Sequence, residues 1–207
     1  PSRVTRVPSP IGGATFGRRQ KKCRRLGARL IVLDESGFSL LSPLKRTWAR
    51  RGHTPTVRTS LSHHERLNLL GALCVTAGGR GIALITRAHR RSLRGEEVMA
   101  FLKVLLARFA GPLILVWDQH PIHQRQQVQA FIAQHPRLQV VVLPTSAPEL
   151  NPVEWVWQQM DDMLANTAPR DRHELRLKVM AAIARVKRSP RRMWAGFAGA
   201  KLSVGKA

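Results

Sequence analysis

The sequence contains the stretch Leu-Ile-Val-Leu-Asp-Glu-Ser-Gly at residues 30–37, in which an apolar run ends in acidic residues. A second stretch, Leu-Ile-Leu-Val-Trp-Asp at residues 113–118, has the same form. Unbroken apolar runs of this length are typical of strands that are covered on both faces. Ligands of α/β proteins bind at the carboxyl ends of such strands. We therefore expect Asp34 and Asp118 to end two buried strands and to meet at one edge of a sheet.

A third acidic residue, Glu154, lies in Pro-Glu-Leu-Asn-Pro-Val-Glu at residues 148–154. Asn151 and Pro152 are typical of the cap and the first position of a helix, and Glu154 could close a capping box there. A helix packed beside the two strand ends could instead bring the Glu154 carboxylate to the aspartates. Three carboxylates gathered at one place would form a site for divalent cations.

The charge of the chain favours a polyanionic partner. The 207 residues include 35 Lys and Arg but 12 Asp and Glu, which gives a formal charge of +23. Such an excess is typical of proteins that neutralise nucleic-acid phosphates. A binder of the ribosomal or chromatin type is the alternative, although such proteins rarely need strands this apolar.

The pattern of apolar residues predicts one α/β domain. The predicted strands are residues 29–33, 67–76, 81–87, 113–117 and 140–143, and the predicted helices are residues 96–109, 124–134, 152–166, 172–187 and 192–198. Residues 1–17 are rich in Pro and Gly and are predicted to be a disordered tail, followed by a single domain at 18–205. The order of elements is typical of an RNase H-like fold, with a five-stranded mixed sheet flanked by helices.

Several blocks of the sequence together resemble one family. They are Leu-Asp-Glu-Ser-Gly-Phe at 33–38, Arg-Thr-Trp-Ala at 46–49, Gly-His-Thr-Pro at 52–55, Trp117-Asp118 with His123, and Ala-Pro-Glu-Leu-Asn-Pro-Val-Glu at 147–154. This set resembles the catalytic domain of bacterial insertion-sequence transposases of the mariner superfamily. The 35 residues between Asp118 and Glu154 also fit the Asp-Asp-Glu (DDE) pattern of these enzymes.

The resemblance implies a DDE transposase that cleaves DNA strands and transfers them at the ends of an insertion sequence. It implies that Asp34, Asp118 and Glu154 are catalytic and bind two Mg²⁺ or Mn²⁺ ions, with Asp34 shared by both. His123 and Asn151 are predicted to lie behind these ligands or to contact phosphate. Other hypotheses are a catalytically silent DNA-binding remnant that inhibits the full-length enzyme, and an RNase H-like nuclease.

Two alternative ligand sets remain open from the sequence. Glu35 competes with Asp34, although only one of two adjacent strand residues should reach the metals because they face opposite sides. The spacing of His120 and His123 could indicate zinc, but no third ligand with suitable spacing accompanies them. Cys23 and Cys74 lie far apart, and Cys74 is predicted to be a core residue of a strand.

The Arg-rich segment after the first acidic strand is predicted to be a hairpin or an extended loop. Arg46, Trp48, Arg50 and Arg51 are its predicted DNA contacts, although Trp48 could pack on its own domain. The expected partners are DNA and a second subunit, either another copy or a full-length transposase. Nothing before Asp34 matches the helix-turn-helix modules that most relatives carry. With no apolar stretch near the roughly 18 residues of a membrane span, we expect no membrane and a cytoplasmic, nucleoid-associated bacterial protein.

Overall fold

The structure is a computed structural model that describes residues 25–56, 65–144, 147–200 and 202. The predicted tail at 1–17 and nearly all of the basic run at 18–25 lie outside these residues. The predicted domain boundaries of 18 and 205 therefore stay predictions. Within the described ranges, none of the helices is both long and apolar enough to cross a membrane.

Five strands form one mixed sheet. They are β1 (Arg29–Ser39), β2 (Arg66–Val75), β3 (Ile82–His89), β4 (Leu113–Trp117) and β5 (Leu138–Val142). Their order across the sheet is β3-β2-β1-β4-β5. β2 runs antiparallel to both β1 and β3, whereas β1, β4 and β5 are parallel to each other. The predicted five-stranded mixed sheet is confirmed.

Helices cover both faces of this sheet. They are α1 (Gly95–Arg108), α2 (Gln126–Ala133), α3 (Pro152–Leu164), α4 (Arg172–Lys187) and α5 (Pro190–Gly199), and a short 3₁₀ turn (Pro148–Leu150) precedes α3. Residues of α1 and α2 share one buried apolar cluster with one face of the sheet. Residues of α3, α4 and α5 share a second cluster with the opposite face.

The alternation of side chains along β1 decides which face each acid joins. Leu30 and Val32 belong to the cluster under α3 to α5, whereas Ile31 and Leu33 belong to the cluster under α1 and α2. Successive strand residues point to opposite faces. Asp34 therefore follows Val32 toward α3, and Glu35 follows Leu33 toward the other layer.

One predicted boundary that bears on the site is wrong. Asp34 does not end its strand, because β1 continues to Ser39. The apolar run does stop at Leu33, but backbone pairing with β2 continues as far as Ser39 opposite Arg66. The antiparallel partner thus maintains the strand after the side-chain pattern has become polar. Asp118, by contrast, directly follows the last residue of β4, as predicted.

Two other predictions differ in detail. The strand predicted at 140–143 begins two residues earlier, and as an edge strand it is only partly buried, so that Val142 is 44% exposed. Helix α1, predicted at residues 96–109, begins one residue earlier and ends at Arg108. Its inward face includes Val98 and Phe101, which pack on the sheet.

The Arg-rich segment after β1 is an extended loop in its described part, residues 41–56. Its first residues form hydrogen bonds with the residues that directly follow α3. Asn166 accepts a hydrogen bond from the Lys45 backbone N–H (3.0 Å) and donates one to the Lys45 carbonyl (2.9 Å). Ser42 and Thr167 share a hydroxyl hydrogen bond of 3.2 Å. These bonds hold the base of the loop, beyond which residues 46–56 are exposed.

Candidate active site

The three predicted carboxylates come together in one cleft. Asp34 from β1, Asp118 from the end of β4 and Glu154 from the first turn of α3 all line it. The cleft has a volume of about 280 Å³. Its other lining residues are Gln119, His120, Leu143, Pro144, Ala147, Pro148 and Asn151.

Parallel pairing of β1 and β4 brings the two aspartates to the same level. Val32 pairs with Val116, and Asp34 and Asp118 each lie two residues further along. The Asp118 carboxylate accepts a hydrogen bond from the His120 N–H (2.9 Å) and lies 3.2 Å from His123 Nδ1. The bond from His123 is the main reason that the pKa of Asp118 lies below its usual value. Asp118 is therefore ionised at neutral pH.

Asp34 is the most buried of the three acids. It is only 5% exposed, and its Oδ2 accepts a hydrogen bond of 2.9 Å from the indole Nε1–H of Trp157. Burial, followed by the negative charges of Glu154 and Glu35, raises the pKa of Asp34 to about 8. Without a cation, the cleft thus favours the protonated form of this acid.

Glu154 is positioned by the cap of α3. The Asn151 side chain accepts a hydrogen bond from the Val153 N–H (3.1 Å), as expected of a helix cap. The Asn151 N–H, which a capping box would pair with Glu154, donates instead to the Pro148 carbonyl (2.9 Å). Glu154 therefore does not close the box, and its carboxylate lines the cleft. Burial, then the charges of Asp118 and Asp161, raise its pKa.

The chemistry of these donors fits a divalent cation of the Mg²⁺ type. All three groups are carboxylates, and hard cations prefer oxygen ligands. Mutual repulsion contributes to the raised pKa of both Asp34 and Glu154. A bound cation would relieve that repulsion and favour the ionised forms.

A second group of possible ligands shares Asp118. Ligand atoms of Glu35, Asp118 and His123 lie within 4.8 Å of one another. His123 places Nε2 at 2.9 Å from Glu35 Oε1 and Nδ1 near Asp118, so both ring nitrogens face acceptors. Burial alone would lower the pKa of His123, but these bonds outweigh it and raise the pKa to about 9. In this arrangement both ring nitrogens are directed to the two carboxylates, so His123 supports Asp118 from behind.

The comparisons with known proteins agree with this geometry. A family model described as DDE superfamily endonuclease matches residues 29–176. The chain belongs to the DDE superfamily endonucleases. The match covers all five strands and the segments that carry Asp34, Asp118 and Glu154. The predicted family is confirmed.

One curated relative and two solved structures illustrate the similarity of this DDE-family chain. It is 26% identical, over 133 residues, to the insertion element IS630 uncharacterized 39 kDa protein of Shigella sonnei, covering 63% of this chain and 37% of that protein. It also resembles the Mos1 mariner paired end complexes with Mn and with Mg, at TM-scores of 0.62 and 0.56. Each of these matches has 17% identity and covers 95% of this chain and 62% of that chain. The predicted RNase H-like fold is confirmed, and the chain spans less than two thirds of each protein's length.

Outside the cleft of this DDE-family chain, the predicted DNA contacts lie on the exposed loop. Arg46, Arg50 and Arg51 are all exposed. Trp48 is 100% exposed, so the alternative that it packs on its own domain is wrong. The base of this loop, which follows β1 in the chain, is bonded to Asn166, just beyond the end of α3, the helix that carries Glu154.

The other predicted site residues occupy supporting positions. Asn151 is 3% exposed and lines the cleft while it caps α3. His123 is 2% exposed, and the stacked indole of Trp117 covers its ring at a centroid distance of 4.1 Å. This burial places its ring behind Asp118, outside the residues that line the cleft. The zinc hypothesis has no support either, because the group of possible metal ligands found among the described residues includes His123 but not His120.

Two contacts of the site were absent from the sequence prediction. The indole N–H of Trp157 donates to the Asp34 carboxylate. Glu35 was considered only as a competing ligand, whereas it bonds to His123. The alternation of side chains along β1 could have indicated that Glu35 has a separate partner, because it directs this side chain to the face opposite Asp34.

Proposed function

We propose that this chain is the catalytic domain of an insertion-sequence DNA transposase, which cleaves DNA strands and transfers them at the ends of its element. The observation that carries this proposal is the convergence of Asp34, Asp118 and Glu154 in one cleft from three separate elements. The membership of the DDE superfamily endonucleases supports this reaction class, and the IS630 relative supports an origin in an insertion element. The Mos1 structures support it through the shared fold.

The site is proposed to bind two Mg²⁺ or Mn²⁺ ions through these three carboxylates. When bound, such ions activate a water or a DNA 3′-hydroxyl and stabilise the departing oxygen of an in-line displacement at phosphorus. The solved Mos1 complexes with Mn and with Mg support this choice of cation. Asp34 lies deepest in the cleft and is proposed to be the ligand shared by both ions.

The residues of the chain itself have distinct tasks in this proposal. Asp118 is kept ionised by His123 and His120 and provides a fixed negative group at the end of β4. Asp34 is held from within the core by Trp157. Glu154 enters from the first turn of α3, whose start is capped by Asn151.

DNA and a second subunit are the proposed partners. The net charge of +23 favours association with DNA. Arg46, Trp48, Arg50 and Arg51 are proposed to contact DNA from the exposed loop. We also propose that the working unit is a dimer of this chain or a pair with a full-length transposase, acting on DNA in the bacterial cytoplasm.

Nicking of supercoiled plasmid tests the proposed function. The purified chain, with Mn²⁺ or Mg²⁺, is compared with Asp118→Asn, which keeps the size of the side chain and removes its charge. Glu149→Gln is the matched control because Glu149 is exposed in the neighbouring 3₁₀ turn. The proposal predicts metal-dependent nicking by the wild-type chain and the control, with none by Asp118→Asn.

The other outcomes separate the alternatives. Tight DNA binding without metal-dependent cleavage would favour a silent binding remnant. Cleavage of the RNA strand of an RNA–DNA hybrid in preference to plasmid DNA would favour an RNase H-like nuclease. Equal nicking by wild type and Asp118→Asn would contradict the assignment of the site.

A further inference from the structure

Helix α3 reaches Asp34 through Trp157 as well as Glu154. Glu154 lines the cleft, and one turn later the indole of Trp157 donates its Nε1–H to Asp34 Oδ2 at 2.9 Å. Trp157 is only 3% exposed and lies edge to face with Phe38, with 6.2 Å between ring centroids. The indole is therefore fixed on several sides while its single polar group points at the carboxylate.

Gly71 makes room for this arrangement. It lies on β2 directly opposite Asp34 in the register of the two strands. A Cβ atom on Gly71 would lie 2.3 Å from Trp157 Cη2 and 2.6 Å from Cζ2, which is closer than van der Waals contact allows. The indole ring thus rests on the bare backbone of β2, beside the aspartate to which it bonds.

We propose that Trp157, seated on Gly71, is a positioning residue that fixes the orientation of the Asp34 carboxylate for cation binding. The bond engages Oδ2 and so restrains the rotation of the carboxylate, whose Oδ1 takes no part in this bond. It also ties α3 to β1, and so sets the position of Glu154 relative to Asp34. This inference rests on the proposed function, because it assigns a role within the same site.

The chain provides a matched control for each part of this arrangement. Trp155 lies on the same helix but packs against Gly199 of α5. A Cβ atom on Gly199 would lie 2.3 Å from Trp155 Cε2, so the clash equals the one at Gly71. Variants of Trp155 and Gly199 therefore perturb the packing of the same helix without changing the bond to Asp34.

The experiment measures Mn²⁺ affinity by isothermal titration calorimetry, without DNA, for Trp157→Phe and Trp155→Phe. Phenylalanine keeps an aromatic ring in the core but has no N–H. Because loss of a bond that orients a metal ligand typically costs 10- to 100-fold in affinity, Trp157→Phe is expected to bind Mn²⁺ about tenfold more weakly or worse. Trp155→Phe is expected to bind like the wild type. In plasmid nicking, the Mn²⁺ concentration for half-maximal rate should rise for Trp157→Phe alone.

Gly71→Ala and Gly199→Ala guard against an effect of misfolding. Thermal unfolding is recorded for all four variants, and similar losses of stability in both glycine variants are expected. Weaker Mn²⁺ binding in Gly71→Ala but not in Gly199→Ala supports the inference. Wild-type affinity in Trp157→Phe would overturn it while leaving the proposed function standing. Absence of Mn²⁺ binding by the wild-type chain would overturn both.

Discussion

His123 and Glu35 are joined through imidazole Nε2 and carboxylate Oε1, which lie 2.9 Å apart although the residues are 88 positions apart in the chain. The other ring nitrogen of His123, Nδ1, lies 3.2 Å from the Asp118 carboxylate. The imidazole also stacks on Trp117 with an angle of 3° between the rings. The buried ring of His123 therefore connects Glu35 of β1 to Asp118 at the end of β4.

Replacement of His123 by Gln should destabilise the protein by about 2 kcal/mol, since charge-assisted hydrogen bonds are lost. The carboxylates left behind, Glu35 and Asp118, are 15% and 45% exposed and remain partly solvated, which limits the loss. Urea unfolding monitored by tryptophan fluorescence measures the change. His135→Gln is the control. His135 also packs against an aromatic ring, that of Phe131, and bonds to a backbone carbonyl, but among the described residues no carboxylate forms an ion pair with it. Equal losses in the two variants would show that stacking, and not the ion pairs, stabilises His123.

Removal of the cap of α3 should affect both stability and activity. Asn151→Ala is expected to cost about 1 kcal/mol, as is typical when a capping side chain is lost. Asp171→Ala, which removes the bond to the Glu174 N–H (2.8 Å) at the start of α4, should cost about the same. Plasmid nicking should fall only in Asn151→Ala, because α3 carries Glu154. A similar fall in both variants would indicate that activity follows overall stability alone.

Substitutions in the exposed loop should weaken DNA binding without changing stability. The double variant Arg50→Gln, Arg51→Gln is expected to unfold like the wild type, because exposed side chains contribute little to stability. The slope of log DNA affinity against log salt concentration should be smaller in magnitude by about one for each phosphate that an arginine no longer neutralises. Arg170→Gln is the control, because Arg170 is exposed but pairs with Glu174. An unchanged salt dependence would place the DNA elsewhere.

The thiol of Cys74 should resist alkylation in the folded protein. Burial in β2 raises its pKa to about 12, so the reactive thiolate is scarce at pH 8 to 9. The variant Cys23→Ser isolates Cys74 for measurement with a thiol-specific chromogenic reagent. Reaction should be slow in buffer and rapid in denaturant, because the pKa of an unfolded cysteine is about 8.5. Rapid reaction under native conditions would contradict the burial of β2.

The sequence predicted the parts of the site that local pattern determines. The five-residue apolar run of β4 is covered on both faces, so its end at Asp118 could be located from hydropathy alone. The Asn-Pro start of α3 likewise located Glu154, because capping chemistry is local. The end of β1 could not be found this way, since pairing with β2 extends the strand through polar residues up to Ser39.

The supporting contacts depend on tertiary packing and so could not be predicted from the sequence. The bond between Trp157 and Asp34 joins residues 123 positions apart, and it requires a glycine on a third element to admit the ring. An indole on an apolar helix face looks the same in sequence whether or not its N–H reaches a carboxylate. The bonds between Asn166 and Lys45 that anchor the loop were likewise not predictable, because they join residues far apart in the chain.

We assign the divalent cations to Asp34, Asp118 and Glu154, and not to the neighbouring group of Glu35, Asp118 and His123. Calorimetric titration of Mn²⁺ into Asp34→Asn, Glu154→Gln and Glu35→Gln distinguishes the two groups, because they share Asp118 alone. Asp34→Asn and Glu154→Gln are each expected to lose most of the Mn²⁺ affinity, while Glu35→Gln retains measurable binding. Loss of binding in Glu35→Gln, with wild-type affinity in the other two variants, would refute this assignment.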